Sequence, residues 1–231
     1  MQKEPNLSRR QFLATAGGTA IHIGLPGLFV KLTDTEKRAY AAQLRADGRP
    51  RIPPGQGAVK ALRDMGGNPG PGRVPDWQLS VTGEVANSKI FTLQDLLRFP
   101  QVNLTCDVHC VTGWTLLDAK WRGIRLSTIM DAVGVTKKAR FIIFEAPEGY
   151  TSNIPIGDAH KDNVILAHTF LGNKLPRAHG APLRALVPDR YFYKSAKWIE
   201  GIKFTVADEP GFWEKGGFSN SADPWKEERF D

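Results

Sequence analysis

The chain has 231 residues, of which 41% are hydrophobic, and it carries a formal net charge of +7. This composition supports a substantial hydrophobic core and excludes global disorder. The basic residues are scattered rather than gathered in a block or a helical stripe, which argues against nucleic-acid binding, and two cysteines are too few for a disulfide framework.

The first 32 residues have the features of an export signal. Ser8-Arg9-Arg10-Gln11-Phe12-Leu13 resembles the twin-arginine motif, and the apolar run that follows, Phe12 to Val30, is softened by glycines and a proline. Such a run is a poor membrane span, although its length is close to the roughly 20 residues needed. We expect a periplasmic or otherwise exported protein, and both signal cleavage and a retained N-terminal anchor stay open.

A polar segment, residues 33–75, separates this signal from the rest of the chain. Thr33 to Leu44 has the pattern of a charged helix with a sparse apolar edge. Arg45 to Pro75 is rich in glycine and proline and has no hydrophobic period. A loop of this length is either a linker or a functional segment wrapped on the domain, and the sequence leaves both interpretations open.

Regular structure is predicted from Trp77 onwards, over a domain of residues 76–231. Alternation and apolar runs predict the strands, and helical spacing predicts two short helices. The predicted strands are Trp77–Gly83, Lys89–Thr92, Val102–Val108, Ala139–Phe144, Leu183–Val187 and Gly201–Val206, and the predicted helices are Leu93–Phe99 and Leu126–Val133. Residues 163–170 fit either a helix or a strand, and the tail, residues 211–231, fits an ordered closing loop. Strands dominate without a βαβ rhythm, so we expect a strand-rich α+β fold with short helices and long loops.

Cys110 is the first candidate for chemistry. The alternation of Val102 to Val108 predicts a strand that ends just before it, so the thiol should lie on a loop, as a ligand or nucleophile. Cys106 would lie about 13 Å away on an extended strand, beyond the ~7 Å Cα separation that a disulfide allows. Cys106, His109 and Cys110 could together bind zinc, although their spacing matches no common zinc motif. A buried structural cysteine is the remaining alternative.

A second candidate region runs from His179 to Trp198. It contains four cations within fourteen residues, among glycine, proline and serine: Arg184, Arg190, Lys194 and Lys197. Arginine binds phosphate through two parallel hydrogen bonds, and lysine and serine add single donors. This pattern is typical of a pocket for an anionic, phosphate-bearing cofactor, and a solvated basic loop is the alternative. No glycine-rich dinucleotide fingerprint and no P-loop is found in the sequence.

These two regions resemble the sulfite oxidase superfamily of molybdopterin-dependent oxidoreductases, in particular its short bacterial members and the periplasmic protein-methionine-sulfoxide reductase catalytic subunits. The likeness extends from about Trp77 to the end of the sequence and implies a sulfite oxidase-type molybdopterin-binding fold. The motifs that carry it are Cys110-Val111-x-x-Trp114, Trp121-x-Gly123, Gly180-x-Pro182-x-Arg184 with Val187-Pro188, Lys194-Ser195-x-Lys197, Gly211-Phe212-Trp213-Glu214 and Asp223-Pro224-Trp225-x-Glu227-Glu228-Arg229.

The resemblance also implies roles for individual residues. Cys110 would be the catalytic residue, because its thiolate would bind the molybdenum, and a soft thiolate suits such a metal. His179 and Arg184 would bind the pterin and its phosphate, together with Ser195, Ala196 and Lys197. His109 would pack on the cofactor. One molybdenum–molybdopterin per chain is expected.

The implied reaction is a two-electron oxo transfer between Mo(VI) and Mo(IV). Reduction of an S-oxide of the methionine sulfoxide type is favoured, and sulfite-type oxidation is the alternative. The substrate would be a small or protein-bound sulfur compound, and a membrane haem protein or a cytochrome would be the electron partner. A non-enzymatic exported binding module, or a zinc or thiol protein, would be the other classes.

The sequence departs from the family pattern at two positions. Ala146, next to Glu145, stands where the reductase has a threonine that contacts the cofactor. Phe218 stands where sulfite oxidases and many short members have a tyrosine, five residues after the tail tryptophan. The missing hydroxyl argues against sulfite oxidation. The substrate-binding arginine of sulfite oxidases has two candidates here, Arg63 and Arg73.

Overall fold

The structure is a computed structural model that describes residue 39, residues 43–65, residue 67 and residues 76–231. The signal predicted over residues 1–32, almost all of the helix predicted over Thr33–Leu44, and Arg73 lie outside the described residues. None of the helices in the described part is long and apolar enough to cross a membrane.

Two mixed sheets form the body of the described chain, and the first has five strands in the order β3-β2-β11-β6-β7. Its strands are β2 (Gln78–Gly83), β3 (Lys89–Thr92), β6 (Phe141–Glu145), β7 (Thr151–Pro155) and β11 (Gly201–Thr205). Strand β11 pairs in parallel with β2 and antiparallel with β6. The predicted strands of this sheet are therefore confirmed within one or two residues at each end, and β7 was not predicted.

The second sheet has six strands and is built around its longest one, β5. It contains β1 (Gly57–Val59), β4 (Val102–Cys110), β5 (Trp114–Arg125), β8 (Ile165–Phe170), β9 (Asn173–Lys174) and β10 (Arg184–Leu186). Strand β4 runs antiparallel to β5, β1 pairs in parallel with the start of β5, and β8 pairs with its end. Residues 165–170 are thus a strand, which resolves the ambiguity of the 163–170 region.

Short helices complete the fold at positions set by local sequence. Helix α1 (Leu93–Arg98) begins with a capping box in which Thr92 and Asp95 satisfy each other's backbone N–H groups. Helix α2 (Leu126–Val133) buries four apolar side chains and ends at Gly134, whose φ of 67° is the left-handed conformation of a helix C-terminus. Two single-turn helices follow, α3 (Ile156–Ala159) and α4 (Phe212–Lys215).

The core has two parts, and the smaller one contains Cys110. The larger part lies among the five-stranded sheet, α2 and the adjoining faces of the second sheet. The smaller part is formed by buried side chains of β4, β5, β8 and β10 and by Leu175, which follows β9. Its members are Val108, Cys110, Trp114, Leu116, Ala119, Trp121, Ile165, Ala167, Phe170, Leu175 and Leu186. The strand-rich α+β fold class is confirmed, and the second sheet carries Cys110 into its own core.

A substitution at Gly123 tests the packing of β5 on β8. A Cβ atom there would overlap the carbonyl oxygen of Leu166 and lie 2.8 Å from the Cα of Ala167. We expect Gly123→Ala to lower the free energy of unfolding by about 3 kcal/mol, since backbone atoms cannot move aside as a flexible side chain can. The free energy of unfolding is measured by urea denaturation followed by circular dichroism.

Gly157→Ala is the matched control, because nothing lies within 4 Å of a Cβ at position 157. It should change the free energy of unfolding by no more than about 0.5 kcal/mol. Equal stability of the two variants would contradict the close approach of β5 and β8.

Candidate active site

Cys110 is the last residue of β4 and faces Trp114 across a three-residue turn. Gly113 has a φ of 90°, and its N–H donates to the Cys110 carbonyl at 3.0 Å, which closes the hairpin. The prediction that Cys110 lies on a loop past the strand is therefore wrong by a small margin, because the turn begins one residue later. A strand end fixes the thiol more firmly than a loop would.

The Cys110 thiol is buried and free, with 6% of the residue exposed. Its sulfur is hydrogen-bonded to the Thr112 hydroxyl at 3.2 Å. Burial raises the pKa of the thiol, while the Thr112 hydrogen bonds and the charges of Arg63 and Arg229 act in the opposite direction. A thiol with a raised pKa is a poor free nucleophile, whereas a bound metal ion deprotonates a coordinating thiol outright. The environment therefore suits a metal ligand better than a free nucleophile.

Arg184 is the most unusual charged residue of the second region, because its side chain is fully buried. The guanidinium donates to three carbonyl oxygens, those of His179 at 2.9 Å, Ser195 at 2.8 Å and Ala185 at 3.3 Å. Within the described part of the chain no carboxylate lies within ion-pair distance of it. Burial accordingly lowers the pKa of Arg184 to about 9. A buried cation of this kind is costly unless an anion joins it.

The other residues predicted to bind the cofactor gather around Arg184. The Ala185 N–H donates to the Ala196 carbonyl at 2.9 Å, so the segment of Ser195 to Lys197 runs alongside β10. Gly180 lies against both neighbours, since a Cβ there would be 3.0 Å from the Cβ of Arg184 and 3.2 Å from the Cα of Lys197. The structure therefore brings His179, Arg184, Ser195, Ala196 and Lys197 together.

Two of these side chains already have protein partners. The Ser195 hydroxyl accepts a hydrogen bond from the Val187 N–H at 2.9 Å. The Lys197 ammonium donates to the Ala178 carbonyl at 3.1 Å, lies 3.5 Å from Asp64 and sits 4.1 Å from the ring centre of Trp198. Burial lowers the pKa of Lys197 to about 8. Lys197 therefore changes its charge close to neutral pH.

The remaining two cations of the predicted cluster serve the fold. Arg190 is paired with the buried carboxylate of Asp158 at 2.8 Å. Lys194 is buried, forms an ion pair with Glu214 and donates to the Asn153 side chain at 2.7 Å. Arg190 and Lys194 therefore pair with carboxylates of the domain, which corrects the expectation that all four cations line one pocket.

Aromatic side chains connect this cluster to the Cys110 hairpin. The Arg184 guanidinium lies 4.2 Å from the ring centre of Phe192 and 5.4 Å from that of Trp121. Phe192 in turn lies 6.3 Å from Trp114, the cross-strand partner of Cys110. The indole N–H groups of Trp114 and Trp121 are buried and have no hydrogen-bond partner among the described residues. Two orphaned donors in one apolar wall mark it as a place where a polar ligand fits.

His109 faces away from this wall. It is completely buried, its Nδ1 is hydrogen-bonded to the Thr115 hydroxyl at 2.9 Å, and its ring packs edge-on against Trp225 at 5.0 Å. Successive side chains of a strand point to opposite faces, so His109 and Cys110 project on opposite sides of β4. Burial lowers the pKa of His109 to about 4, which keeps the ring neutral. The structure thus places His109 with the tail rather than with the Arg184 cluster.

A segment from the glycine- and proline-rich region, residues 43–59, packs along the Cys110 hairpin, and we call it the strap. The Gln56 side chain donates to the Cys110 carbonyl at 3.1 Å, and the Gly57 N–H donates to the Gly113 carbonyl at 2.8 Å. Arg51 forms an ion pair with buried Asp107, with Nε–Oδ2 at 2.8 Å. This part of the region is therefore wrapped on the domain.

The C-terminal tail supports the same hairpin from a second direction. The Arg229 guanidinium donates to the carbonyl of Val111 and, at 3.3 Å, to that of Gly55, which ties the tail, the turn and the strap together. The Trp225 indole donates to the Pro50 carbonyl at 2.8 Å. The sequence analysis gave no role to Gln56 and named Arg229 only within the tail motif, because contacts to backbone carbonyls leave no periodic or spacing signal.

The positions that depart from the family pattern lie outside the Arg184 cluster. Phe218 is buried between Trp213, Tyr193 and Phe230, with ring centres 5.0 to 5.7 Å apart. Ala146 lies in the connection between β6 and β7. Arg63 is exposed, and its charge favours the ionised form of Cys110.

Cys106 belongs to a different environment from Cys110. It is free and lines a surface cavity of about 460 Å³ together with Arg45, Arg51 and Asp118. Burial raises the pKa of its thiol. No group of three His, Cys, Asp or Glu side chains that could hold a metal is found within the described ranges. The zinc hypothesis built on Cys106, His109 and Cys110 therefore gains no support.

Comparison with known proteins establishes the class, that of the molybdopterin-binding oxidoreductases. The model of the oxidoreductase molybdopterin binding domain matches residues 68–213, and the chain belongs to this family. The uncharacterized oxidoreductase YuiH of Bacillus subtilis is 38% identical over 188 residues, which cover 80% of this chain and 95% of that protein. The family and enzyme class predicted from the sequence are confirmed, and a molybdopterin cofactor follows from them.

Two further relatives are named for the reduction of methionine sulfoxide. The putative protein-methionine-sulfoxide reductase subunit YedZ1 of Azospira oryzae is 29% identical over 62% of this chain and 54% of that protein. The catalytic subunit MsrP of Burkholderia mallei is 30% identical over 62% of this chain and 50% of that protein. The alignments thus span about half the length of these two relatives.

A solved structure supports the fold. The sulfane dehydrogenase SoxCD of Paracoccus pantotrophus superimposes with a TM-score of 0.57 over 82% of this chain and 56% of that chain, at 19% sequence identity. The likeness is one of architecture, and it confirms the sulfite oxidase-type fold.

The strap can be tested through its ion pair. Arg51→Met leaves the Asp107 carboxylate, which is 7% exposed, without its cation. We expect the free energy of unfolding to fall by about 2–3 kcal/mol, and limited proteolysis should cut within residues 43–59 first. Both effects are measured on the purified protein.

Lys203→Met is the control, because the Lys203–Glu209 pair is exposed at both side chains. Its loss should cost less than about 1 kcal/mol. A strap that stays resistant to proteolysis in Arg51→Met would contradict its anchoring through Asp107.

Proposed function

We propose that the protein is an exported molybdenum enzyme that reduces S-oxides of the methionine sulfoxide type, with the molybdenum held by Cys110. The observation that carries the proposal is the buried, uncompensated Arg184 guanidinium, which shares an aromatic wall with the Cys110 hairpin. The names of the two methionine-sulfoxide reductase relatives support the choice of substrate.

The residues present fit a molybdopterin cofactor. Arg184 offers a cation that lacks an anion, and Lys197 adds a second charge at neutral pH. His179, Ser195 and Ala196 would contribute the backbone around the pterin. Cys110 supplies a soft thiolate to the metal, which suits thiophilic ions. When bound, the molybdenum centre supplies two-electron oxygen-atom transfer.

The protein's own residues would prepare this chemistry in two ways. Trp114, Trp121 and Phe192 exclude water from the wall, which strengthens electrostatic interactions inside it. Gln56 and Arg229 hold the carbonyls of the Cys110 turn, so the sulfur keeps one position. The overall reaction takes up two protons and two electrons, converts the sulfoxide to a sulfide and releases water.

Sulfite-type oxidation is the second candidate function, and Phe218 argues against it. Where the family pattern has a tyrosine, this chain has a ring that is 5% exposed and packed among other aromatic side chains. The chain therefore lacks the tyrosine hydroxyl that the resemblance associates with sulfite oxidation.

An electron partner and export belong to the same proposal. The two methionine-sulfoxide reductase relatives are named as subunits, and a membrane haem protein or a cytochrome would supply the electrons here. The twin-arginine motif of residues 8–13 supports export, since that route carries proteins that have already folded around a cofactor.

The decisive experiment combines metal analysis with two assays on protein made in a molybdenum-competent host. We expect about one molybdenum per chain, methionine sulfoxide reduction driven by dithionite-reduced viologen, and little sulfite-dependent dye reduction. Protein without molybdenum that is as stable as the loaded form would end the proposal. Molybdenum-loaded protein that oxidises sulfite and leaves methionine sulfoxide unchanged would establish the second candidate.

Replacement of each cysteine in turn tests whether Cys110 is a metal ligand and Cys106 is not. Cys110→Ser should abolish methionine sulfoxide reduction, because a hydroxyl binds a thiophilic metal far more weakly than a thiolate does. Cys106→Ser should keep at least half of the activity. Molybdenum content and viologen oxidation are measured for both variants, and equal losses would favour a zinc or thiol site instead.

Retention of the cofactor should depend on pH through Lys197. Burial lowers its pKa to about 8, so the ammonium is charged and attracts phosphate below that pH and loses its charge above it. We expect molybdenum to be lost about fourfold faster on dialysis at pH 8.5 than at pH 7, because the loss of one charged hydrogen bond is worth about tenfold and Arg184, whose pKa is about 9, stays mostly charged at pH 8.5.

Two variants check the origin of this dependence. Lys197→Met should lose molybdenum at pH 7 about as fast as the unmodified protein does at pH 8.5, and Lys197→Arg should retain it at both values. A pH dependence that survives unchanged in Lys197→Met would assign the titration to another group.

A further inference from the structure

The side-chain partner of the Cys110 thiol is the hydroxyl of Thr112. The sulfur and the hydroxyl oxygen lie 3.2 Å apart, which is hydrogen-bond distance. No second hydrogen bond of this hydroxyl is found among the described residues. Threonine hydroxyls in turns commonly bond to nearby backbone groups, whereas this one bonds to a side-chain sulfur. The hairpin therefore places a polar group directly beside the proposed metal ligand.

The backbone on both sides of Thr112 is held by other segments of the chain. The Val111 carbonyl accepts a hydrogen bond from Arg229, and the Gly113 carbonyl accepts one from the Gly57 N–H at 2.8 Å. The threonine side chain is β-branched, so its χ1 angle has few alternatives. The hydroxyl therefore keeps a constant position relative to the sulfur.

The direction of this hydrogen bond depends on whether the sulfur carries a proton. In the free thiol, either group can be the donor. A sulfur that binds a metal has lost its proton, so it can only accept. The Thr112 hydroxyl is then the donor, and a hydrogen bond to an anionic sulfur is of the stronger, charge-assisted kind. Only 6% of Cys110 is exposed, so water competes little for the sulfur.

A hydrogen-bond donor beside a metal-bound sulfur changes the reduction potential of the metal. The donor draws electron density from the sulfur, so the sulfur transfers less negative charge to the metal. The reduced state, which is richer in electrons, is then favoured relative to the oxidised state. Hydrogen bonds to ligand sulfurs are among the factors that set the potentials of metal centres in proteins.

We propose that Thr112 is a positioning residue that donates a hydrogen bond to the Cys110 thiolate and thereby raises the reduction potential of the bound molybdenum, an inference that rests on the proposed metal site and not on the identity of the substrate. Contact of Thr112 with the substrate is the competing role, because Thr112 is partly exposed. The two roles differ in what they change: a donor to the sulfur changes the potential of the metal, and a substrate contact changes KM.

Redox titration of the molybdenum-loaded protein tests the effect, with the Mo(V) signal followed by electron paramagnetic resonance. Thr112→Val removes the hydroxyl and keeps the branched shape of the side chain. We expect it to shift the equilibrium of the Mo(V)/Mo(IV) couple about tenfold toward the oxidised form, the order of effect of one charged hydrogen bond. A tenfold shift lowers the midpoint potential by about 59 mV for one electron. Thr112→Ser keeps the hydroxyl and should shift the equilibrium by no more than about twofold.

Thr136→Val is the matched control, because it removes a threonine hydrogen bond in another part of the fold. Thr136 lies between α2 and β6, and its hydroxyl donates to Glu84 at 3.0 Å. The control should leave the midpoint potential unchanged. An unchanged potential in Thr112→Val as well would overturn the role of Thr112 as a donor to the sulfur. If KM for methionine sulfoxide rises at the same time, Thr112 contacts the substrate instead.

A measurement on the thiol itself covers the case in which Thr112→Val takes up no molybdenum. Cys106→Ser protein made without molybdenum has one thiol, Cys110, and its rate of alkylation by iodoacetamide reports how much thiolate is present. Thr112→Val in the same background should react about threefold more slowly, because about tenfold less thiolate is partly offset by the greater nucleophilicity of each thiolate. Equal or faster alkylation would overturn the donor role.

The titration also separates a failure of Thr112 from a failure of the proposed function. Loaded protein in which Thr112→Val lowers the potential, but which leaves methionine sulfoxide unchanged, would remove the proposed substrate and keep Thr112 as the donor. Loaded protein that reduces methionine sulfoxide, with equal potentials for Thr112→Val and the unmodified chain, would keep the function and remove the role of Thr112. Unmodified protein that binds no molybdenum would end both.

Discussion

The buried guanidinium of Arg184 determines how the chain segments around the candidate site are arranged. The Arg184 guanidinium is held by three backbone carbonyls and by the face of Phe192, and no carboxylate of the described chain reaches it. Carbonyl dipoles satisfy its hydrogen bonds without neutralising its charge. The segments that carry His179 and Ser195 lie together because a backbone carbonyl of each accepts a hydrogen bond from Arg184. In the proposed function, a phosphate-bearing cofactor would supply the negative charge that this cation lacks.

The hairpin that carries Cys110 is supported on both faces of β4. On one face, the thiol joins Trp114 and the aromatic wall. On the other, His109 packs on Trp225, and the strap and the tail hold the carbonyls of the turn. A metal ligand keeps its geometry only when the groups behind it are themselves held in place. The strap and the tail are thus loops that support the candidate site.

Sequence reasoning found most of the fold, and its errors have physical causes. Thr92 and Gly134 mark helix ends through local hydrogen bonds and backbone conformation, so α1 and α2 could be predicted. Strand β5 was missed because Asp118, with a φ of 52°, interrupts its alternation and because both of its faces are buried near Trp114. Burial on both faces removes the period on which strand prediction depends.

The candidate site could be predicted where the chemistry lies in side chains of known type. Cys110 and Arg184 stood out by residue type and family pattern. Lys194 looked equivalent to Lys197 in sequence, yet it neutralises a buried glutamate that lies twenty residues further along the chain. Partner choice over such separations depends on the tertiary fold, and a single sequence does not reveal it.

The bond between Arg229 and the Val111 carbonyl joins positions 118 residues apart. Chains emerge from the ribosome N-terminus first, and domains fold as their segments become available. The hairpin with the thiol is therefore synthesised long before the guanidinium that braces its turn. Until Arg229 is in place, the turn has only the hydrogen bonds from the strap. Loss of Arg229 would therefore leave the backbone of the Cys110 turn held by the strap alone.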